Sequence, residues 1–401
     1  MNIKKLSILL LCCIISISVI FSGCTEANTA NDNTADLDTT IDNQNTNTKT
    51  ETNETNETNE KTDEYITIKD MLNRDVKIKK DINNVVLIDF TGTYIKIMKI
   101  WGIDDKVVGV DNSQMKNEFL KVVCPRINSI PDVGSSKELN YETIASTHPD
   151  VVIIRAFTPS KDREEQYQKI VDKLNSMDIP VVVLLHPTSY KEPNINTMWT
   201  EIDILGKVFN KETNAKKLIN YLDGNVQLVK ERTKDIPDNE KPEVMLFATP
   251  DYMLGAQTIQ SYFLEDIVRG KNIVKEGSWI KTSPEEILKL NPDVMIILGH
   301  GGYVSADDIY SGKIKGLNWK LLENVKAIKD KKVGSVGTTE WRATIEFPIG
   351  LLREAKTLYP DKFSDIDPDE EEIKLYKEIY GLSDDKVKEA VIAQRYYGNP
   401  H

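Results

Sequence analysis

Aromatic rings, histidines and arginines gather just past short β-branched runs in this 401-residue chain: Phe90 and Tyr94, Arg155 and Phe157, His186, Asp251 and Tyr252, His300 and Tyr303, and the triplet Glu340-Trp341-Arg342. Rings of this kind cover an apolar chelate or macrocycle. Arg155 and Arg342 suit carboxylate, catecholate or phosphate oxygens, which a guanidinium grips with paired N–H donors. A bare metal ion is the second chemistry, for which His186 and His300, with Asp251 or Glu340, would have to place three or four N or O ligands within about 2.0–2.2 Å of the ion. That set is thin, because the sequence has four histidines and two of them, His148 in a Pro-Asp turn and His401 at the last position, stand elsewhere.

Chemistry that breaks bonds finds little support. Val333-Gly334-Ser335-Val336-Gly337 lacks the first glycine of a nucleophile elbow, and there is no His-Glu-x-x-His, phosphate-binding loop or Cys-x-x-Cys. His300-Gly301-Gly302 is similar to a lipase oxyanion loop but has no matching nucleophile, so it reads as a backbone turn. An exported hydrolase is the weaker alternative to a binding protein, and no resident cofactor is expected.

The elements that carry these residues are strands of α/β lobes. Residues 85–88, 107–110, 151–154, 181–185, 244–247, 294–298 and 333–336 are short apolar runs separated by longer amphipathic stretches, the pattern of parallel strands covered on both faces. Ligands of such sheets bind beyond the carboxyl ends of the strands, which is where the residues above fall.

An internal echo divides the chain. Asn140-Tyr141-Glu142-Thr143-Ile144 leads through His148-Pro149-Asp150 into Val151-Val152-Ile153-Ile154; 143 residues on, Ser283-Pro284-Glu285-Glu286-Ile287 leads through Asn291-Pro292-Asp293 into Val294-Met295-Ile296-Ile297. Each copy predicts a helix capped by Asn140 or Ser283, a Pro-Asp turn and a buried strand. The period is too long for a solenoid and points to two homologous lobes. Between them, residues 195–234 keep a helical apolar period without proline, predicting one long interlobe helix. The expected organisation is an N-terminal lobe over 65–190, the interlobe helix over 191–236, a C-terminal lobe over 237–360 and a helical extension over 361–401.

Charge and hydropathy set the ends apart. The net charge of −12 lies in the tails: residues 25–64 carry eleven acids against two lysines, and residues 361–401 eleven acids against six bases. The neutral remainder has no basic block, which excludes nucleic acid as a partner. Lys4 and Lys5, the apolar run Leu6–Phe21 and Ser22-Gly23 before Cys24 read as an export signal over 1–23. Residues 24–64, Asn-, Thr- and acid-rich, are expected to be a disordered tether. Cys12 and Cys13 fall in the signal, and Cys124, with no partner for a disulfide, is expected to be a buried apolar residue.

The export segment resembles a lipoprotein signal, which implies acylation of Cys24 and a membrane anchor on the outer face; Phe21 replaces the usual leucine, and the alternative is an uncleaved helical anchor. The body, over roughly residues 65–360, resembles the substrate-binding proteins of ABC importers for iron chelates and cobalamin that have a helical interlobe linker. The likeness rests on Asp70-Met71-Leu72-Asn73-Arg74-Asp75-Val76, on both helix–Pro-Asp–strand copies, and on Asn318-Trp319-Lys320-Leu321-Leu322 leading to Val333. It implies two Rossmann-like lobes and a monomer that captures an iron chelate, a cobamide or a bare metal ion. It further implies delivery to a two-fold permease with its ATPase, with Glu142 and Glu285 docking into arginine pockets of that permease. The tail from Pro368 to Tyr397 lies outside the resemblance.

Overall fold

Asp70 ties down the first turn of the body. Its carboxylate accepts the backbone N–H groups of Leu72 and Arg74, both at 3.0 Å, leaving Asn73 at φ 60°, which asparagine tolerates. The turn joins strands β1 (Tyr65–Lys69) and β2 (Asp75–Lys79) into an antiparallel hairpin. The same carboxylate accepts the N–H of Val183 and so pins the hairpin to the first lobe. The computed structural model describes residues 64–158, 160–312 and 319–395. The export signal, Cys24 and the acidic tether lie outside the described residues, and no described helix is long and apolar enough to cross a membrane.

Val85-Val86-Leu87-Ile88 has no polar side chain to offer water, so it is stable only with both sheet faces covered. It forms the wholly buried strand β3 (Val85–Ile88) of a four-stranded parallel sheet. Its neighbours are β4 (Val107–Val110) on one side and β5 (Val151–Ala156), then β6 (Val181–Leu185), on the other. The second lobe repeats this plan. β7 (Glu243–Thr249) pairs in parallel with β10 (Val294–Ile297), and β10 with β11 (Val333–Ser335), as β3 pairs with β5 and β5 with β6. The two sheets are separate and the strand order is shared, as a duplicated unit requires.

On its other flank the second sheet departs from the all-parallel expectation. β8 (Tyr252–Leu254) pairs antiparallel with β7, and β9 (Trp279–Lys281) adds antiparallel to β8 as the edge strand. Three-residue strands are too short to leave a periodic signature.

The helix expected over 191–236 is two helices. α1 (Asn196–Val208) packs on β1 and β6 of the first lobe, and α2 (Glu212–Thr233) on elements of the second. The chain turns at Asn210, φ 53°, where Lys211 N–H returns to the Gly206 carbonyl at 2.7 Å. Asparagine takes this left-handed conformation cheaply, so the break needs no proline. Gly206 is needed there, because a Cβ would stand 2.7 Å from that of Ala215.

After α3 (Phe347–Leu358) the extension folds as α4 (Pro368–Glu378) and α5 (Asp384–Gln394), helical as expected. Cys124 is buried, and burial, assisted by Asp104, pushes its thiol up to about 12.

Candidate functional site

The carboxyl ends of the parallel strands in both lobes open onto one cavity of about 220 Å³. From the first lobe it is lined by Phe90 and Thr91 beyond β3, Phe157 directly after β5, and His186 and Thr188 after β6. From the second come Thr258 and Gln260, Trp279 on β9, His300 beyond β10, and Trp341 and Arg342 beyond β11.

Each wall is a cluster of three rings, two aromatic side chains about a central histidine. In the first lobe Phe90 and Phe157 stand 5.7 and 5.6 Å from His186 between ring centroids. In the second, Trp279 and Trp341 stand 4.9 and 5.4 Å from His300, both edge-on. Such tilted and T-shaped contacts are the favoured aromatic geometries, so the walls are set before anything binds.

The electrostatics are one-sided. The Arg342 guanidinium lies 5.0 Å over the Trp341 ring, and its Nε has no hydrogen-bond partner. Among the described residues no acid lies within ion-pair distance of it. Burial pulls its pKa down and Asp89 offsets only part, yet a guanidinium stays charged at neutral pH. Burial, followed by Arg155 and Arg342, drives His186 well below the ordinary histidine value; burial and then Arg342 bring His300 down to about 4. Both imidazoles are therefore neutral near pH 7. His186 Nδ1 accepts the Thr188 N–H at 3.2 Å, which leaves its proton on Nε2, while His300 Nδ1 has no partner. A cavity with aromatic walls, neutral imidazoles and one cation that no acid pairs suits an anionic guest with apolar flanks.

Phe90, Phe157, His186, His300, Trp341 and Arg342, expected from the sequence to face a ligand, meet in this cavity. The other candidates do not. Arg155 is buried beneath it: Nε and Nη2 grip both oxygens of Glu201 at 2.7 and 2.8 Å, and Nη1 reaches the hydroxyls of Thr91 and Thr93. Burial opposes its charge, but Glu201 outweighs that and raises its pKa. Tyr94, wholly buried, donates to Glu201 at 2.8 Å. These two support the floor, since Thr91 also donates to Asp89 at 2.5 Å. The signal for this buried pair was Glu201 itself, an acid on the apolar face of α1 beside Met198, Ile202 and Leu205.

Tyr252 packs behind Trp279 at 6.2 Å, Tyr303 lies outside the lining, and Asp251 is exposed. Glu340 is engaged elsewhere: Oε2 accepts the Gly337 N–H at 2.6 Å and Arg353 Nε at 2.9 Å. Among the described residues no three His, Cys, Asp or Glu side chains converge as a metal site, so the set His186, His300, Asp251 and Glu340 does not assemble. Sequence reasoning missed Thr91, Thr188, Thr258, Gln260 and Trp279. Gln260 donates to the Trp341 carbonyl at 2.9 Å and fixes that wall. Trp279 sits on an edge strand rather than past a parallel one.

Glu142 and Glu285 are exposed and are not part of this lining, each the second residue of a short helix, Tyr141–Ser146 or Pro284–Leu290. Asn140 and Ser283 cap those helices by accepting the N–H groups of Thr143 and Glu286.

The profile of the periplasmic binding proteins matches residues 88–337. An uncharacterised ABC transporter substrate-binding lipoprotein, YvrC of Bacillus subtilis, is 25% identical over 309 residues, covering 75% of this chain and 87% of that protein. The molybdate-binding protein MolA of Haemophilus influenzae is 22% identical, covering 80% and 90%; its solved structure superposes with a TM-score of 0.65 over 79% of this chain and 98% of that one, at 21% identity. The petrobactin-binding protein YclQ of Bacillus subtilis is 23% identical over 73% of this chain and 88% of its own length. Its structure gives a TM-score of 0.55 at 21% identity, over 74% of this chain and 99% of that one. The two solved structures share the fold.

Proposed function

The chain belongs to the periplasmic binding protein family, and from that premise we propose that it serves an ABC importer by capturing an anionic metal complex, an iron chelate of the siderophore kind, between its lobes. The observation that carries the ligand class is Arg342, a half-buried arginine whose Nε is buried without a partner and which has no acid within ion-pair distance among the described residues, set beside aromatic walls. A partly desolvated charge without a partner gains from a ligand that neutralises it. A ferric chelate with carboxylate or catecholate donors supplies negative charge at its coordination shell and apolar surface around it. The relatives are named as substrate-binding and ligand-binding proteins, which supports release of the cargo unchanged.

The small volume favours a second reading, a compact anion, over the cobamide alternative. About 220 Å³ lies below the usual 300–1,000 Å³ of small-molecule sites, which suits a compact anion better than a corrinoid. Molybdate, the ligand named for MolA, is such an anion. The bare ion lacks a converging ligand set.

Delivery follows from Glu142 and Glu285. Two exposed acids at equivalent points of pseudo-symmetric lobes suit a two-fold permease with positive pockets. Acylation of Cys24 would hold the protein at the outer face of the membrane, with residues 25–64 as a leash that raises its concentration at the permease.

The test is titration of the full chain with a ferric catecholate complex, ferric citrate, sodium molybdate, cyanocobalamin and zinc chloride, followed through tryptophan emission and heat. Saturable quenching by the ferric complexes supports the proposal. Binding of molybdate alone selects the second reading, and binding of none removes the transport role.

A further inference from the structure

The extension beyond residue 360 contributes nothing to the cavity lining, yet it is wired to the segment that carries Trp341 and Arg342. Gln394, at the end of α5 and fully buried, holds the loop between β11 and Trp341. Its Oε1 accepts the Thr339 N–H at 2.9 Å, and its Nε2 donates to the Thr339 hydroxyl at 2.5 Å. Its carbonyl accepts the Thr338 N–H at 3.0 Å. One residue on, Glu340 is held by Arg353, which also reaches Asp369 at 2.6 Å and Glu372 at 2.8 Å on α4. Arg395 grips the same two acids, each at 2.8 Å.

The same helices grip the other lobe. Phe119, in the short helix Glu118–Val123 of the first lobe, is buried against Tyr376 at 5.4 Å and Tyr380 at 6.1 Å between centroids. α5 packs along that helix. The Tyr380 hydroxyl donates to Glu346 of the second lobe, and Glu346 in turn takes Lys96 of the first lobe at 2.6 Å, both side chains being wholly inaccessible. Burial opposes the charge on Glu346, but Lys96, Tyr380 and Thr344 together hold its carboxyl below the usual range.

We propose that the extension is a strap joined to both lobes that sets where Trp341 and Arg342 stand in the cavity, with Gln394 as the positioning residue. A passive cover would need only apolar contact with one lobe. Here the contacts to the second lobe are directional and converge on residues 338–340, immediately before the cavity wall, while those to the first lobe are aromatic packing. A hydrogen-bonded, buried amide fixes a backbone more strictly than apolar contact does. Trp341 and Arg342 thereby move as one body with α5.

Hydrogen exchange and tryptophan emission on the full chain test this without any ligand, so failure of the strap and failure of the cavity's proposed cargo are separately visible. Gln394→Met keeps the length and packing of the side chain and removes its side-chain hydrogen bonds, while the backbone carbonyl that takes the Thr338 N–H stays. It should accelerate exchange at Thr339 by tenfold or more, and at Thr338 less. It should also red-shift the Trp341 emission, isolated by subtracting the spectrum of the Trp341→Phe version of each protein. Tyr380→Phe, which removes one hydroxyl, should accelerate exchange in residues 118–123 and 338–339 together. Unchanged Trp341 emission in Gln394→Met, or exchange in Tyr380→Phe that rises in one lobe alone, overturns the strap. If Gln394→Met does not fold, Gln394→Glu, which keeps the acceptor contacts, should reproduce the native Trp341 emission; a shifted spectrum there counts against the assignment.

Discussion

Asp150 and Asp293 do the same work in the two lobes. Each carboxylate accepts a backbone N–H where its lobe's first strand begins, from Asn84 and from Glu243, both at 2.9 Å. Each takes a lysine, Lys79 at 2.7 Å and Lys326 at 2.5 Å, and each donates its own N–H to the same strand-opening residue. Even the strained residue two positions earlier is repeated, His148 and Asn291 both standing at φ 47°. Asp150→Asn and Asp293→Asn should therefore destabilise by similar amounts, about 1–3 kcal/mol each, and additively, since the sites are independent. Burial opposes both carboxylates' charge, but the lysines and backbone donors outweigh it and keep both below the ordinary value. The stabilisation is present above pH 4 and is lost as pH falls through the folded pKa. Urea unfolding of the single and double variants at pH 7 and pH 3 measures it.

Arg342→Met should separate stability from binding. Removing a half-buried cation that no acid pairs leaves the unliganded protein as stable or slightly more stable, by at most about 1 kcal/mol. The same change should weaken binding of ferric citrate or molybdate at least tenfold. Thermal melts and calorimetric titration of one preparation check both directions.

His300 gives the cavity a pH dependence of known sign. Its folded value of about 4 lies below the ordinary 6.5, so between those values the unfolded chain holds more protons and stability falls as pH falls. About 1–2 kcal/mol should be lost by pH 4.5, and His300→Gln should remove that part of the slope in denaturant melts at pH 7.5 and 4.5. His186, shifted in the same direction, keeps a residual slope.

Glu354 predicts the opposite sign. It is buried in α3 with Oε2 unpartnered, and burial pushes its carboxyl up to about 8. The folded protein holds the extra proton between about pH 4.5 and 8, so this contribution to stability is present at low pH and is lost as pH rises through 8. Glu354→Gln should raise the melting temperature at pH 8.5 and change little at pH 5.5.

The strands were legible because both faces of β3, β5, β6, β7 and β10 are covered, and continuous apolar runs have few other uses. The helix caps were legible from Asn140 and Ser283 because capping is a local interaction. The interlobe break was not, since Asn210 is an ordinary surface residue until its φ is known. At the site, position past a strand end picked out Phe157, His186, His300 and Trp341, which line the cavity. It could not separate Phe157 from Arg155, which is still inside β5 and is claimed by Glu201, more than forty residues away in sequence. Arg155 and Arg342 look alike in the chain. Only the three-dimensional partner, present for one and absent for the other, tells a support from a free cation.

The two histidine-centred ring clusters give the cavity matching walls, and Arg342 gives it a single charged corner. On the proposed reading, a guest would meet an aromatic wall whichever way round it entered, and Arg342 would be the one charged group in the lining to tell its ends apart. Orientation is then chosen by the placement of negative charge on the guest, and a centrosymmetric anion would settle in two equivalent poses.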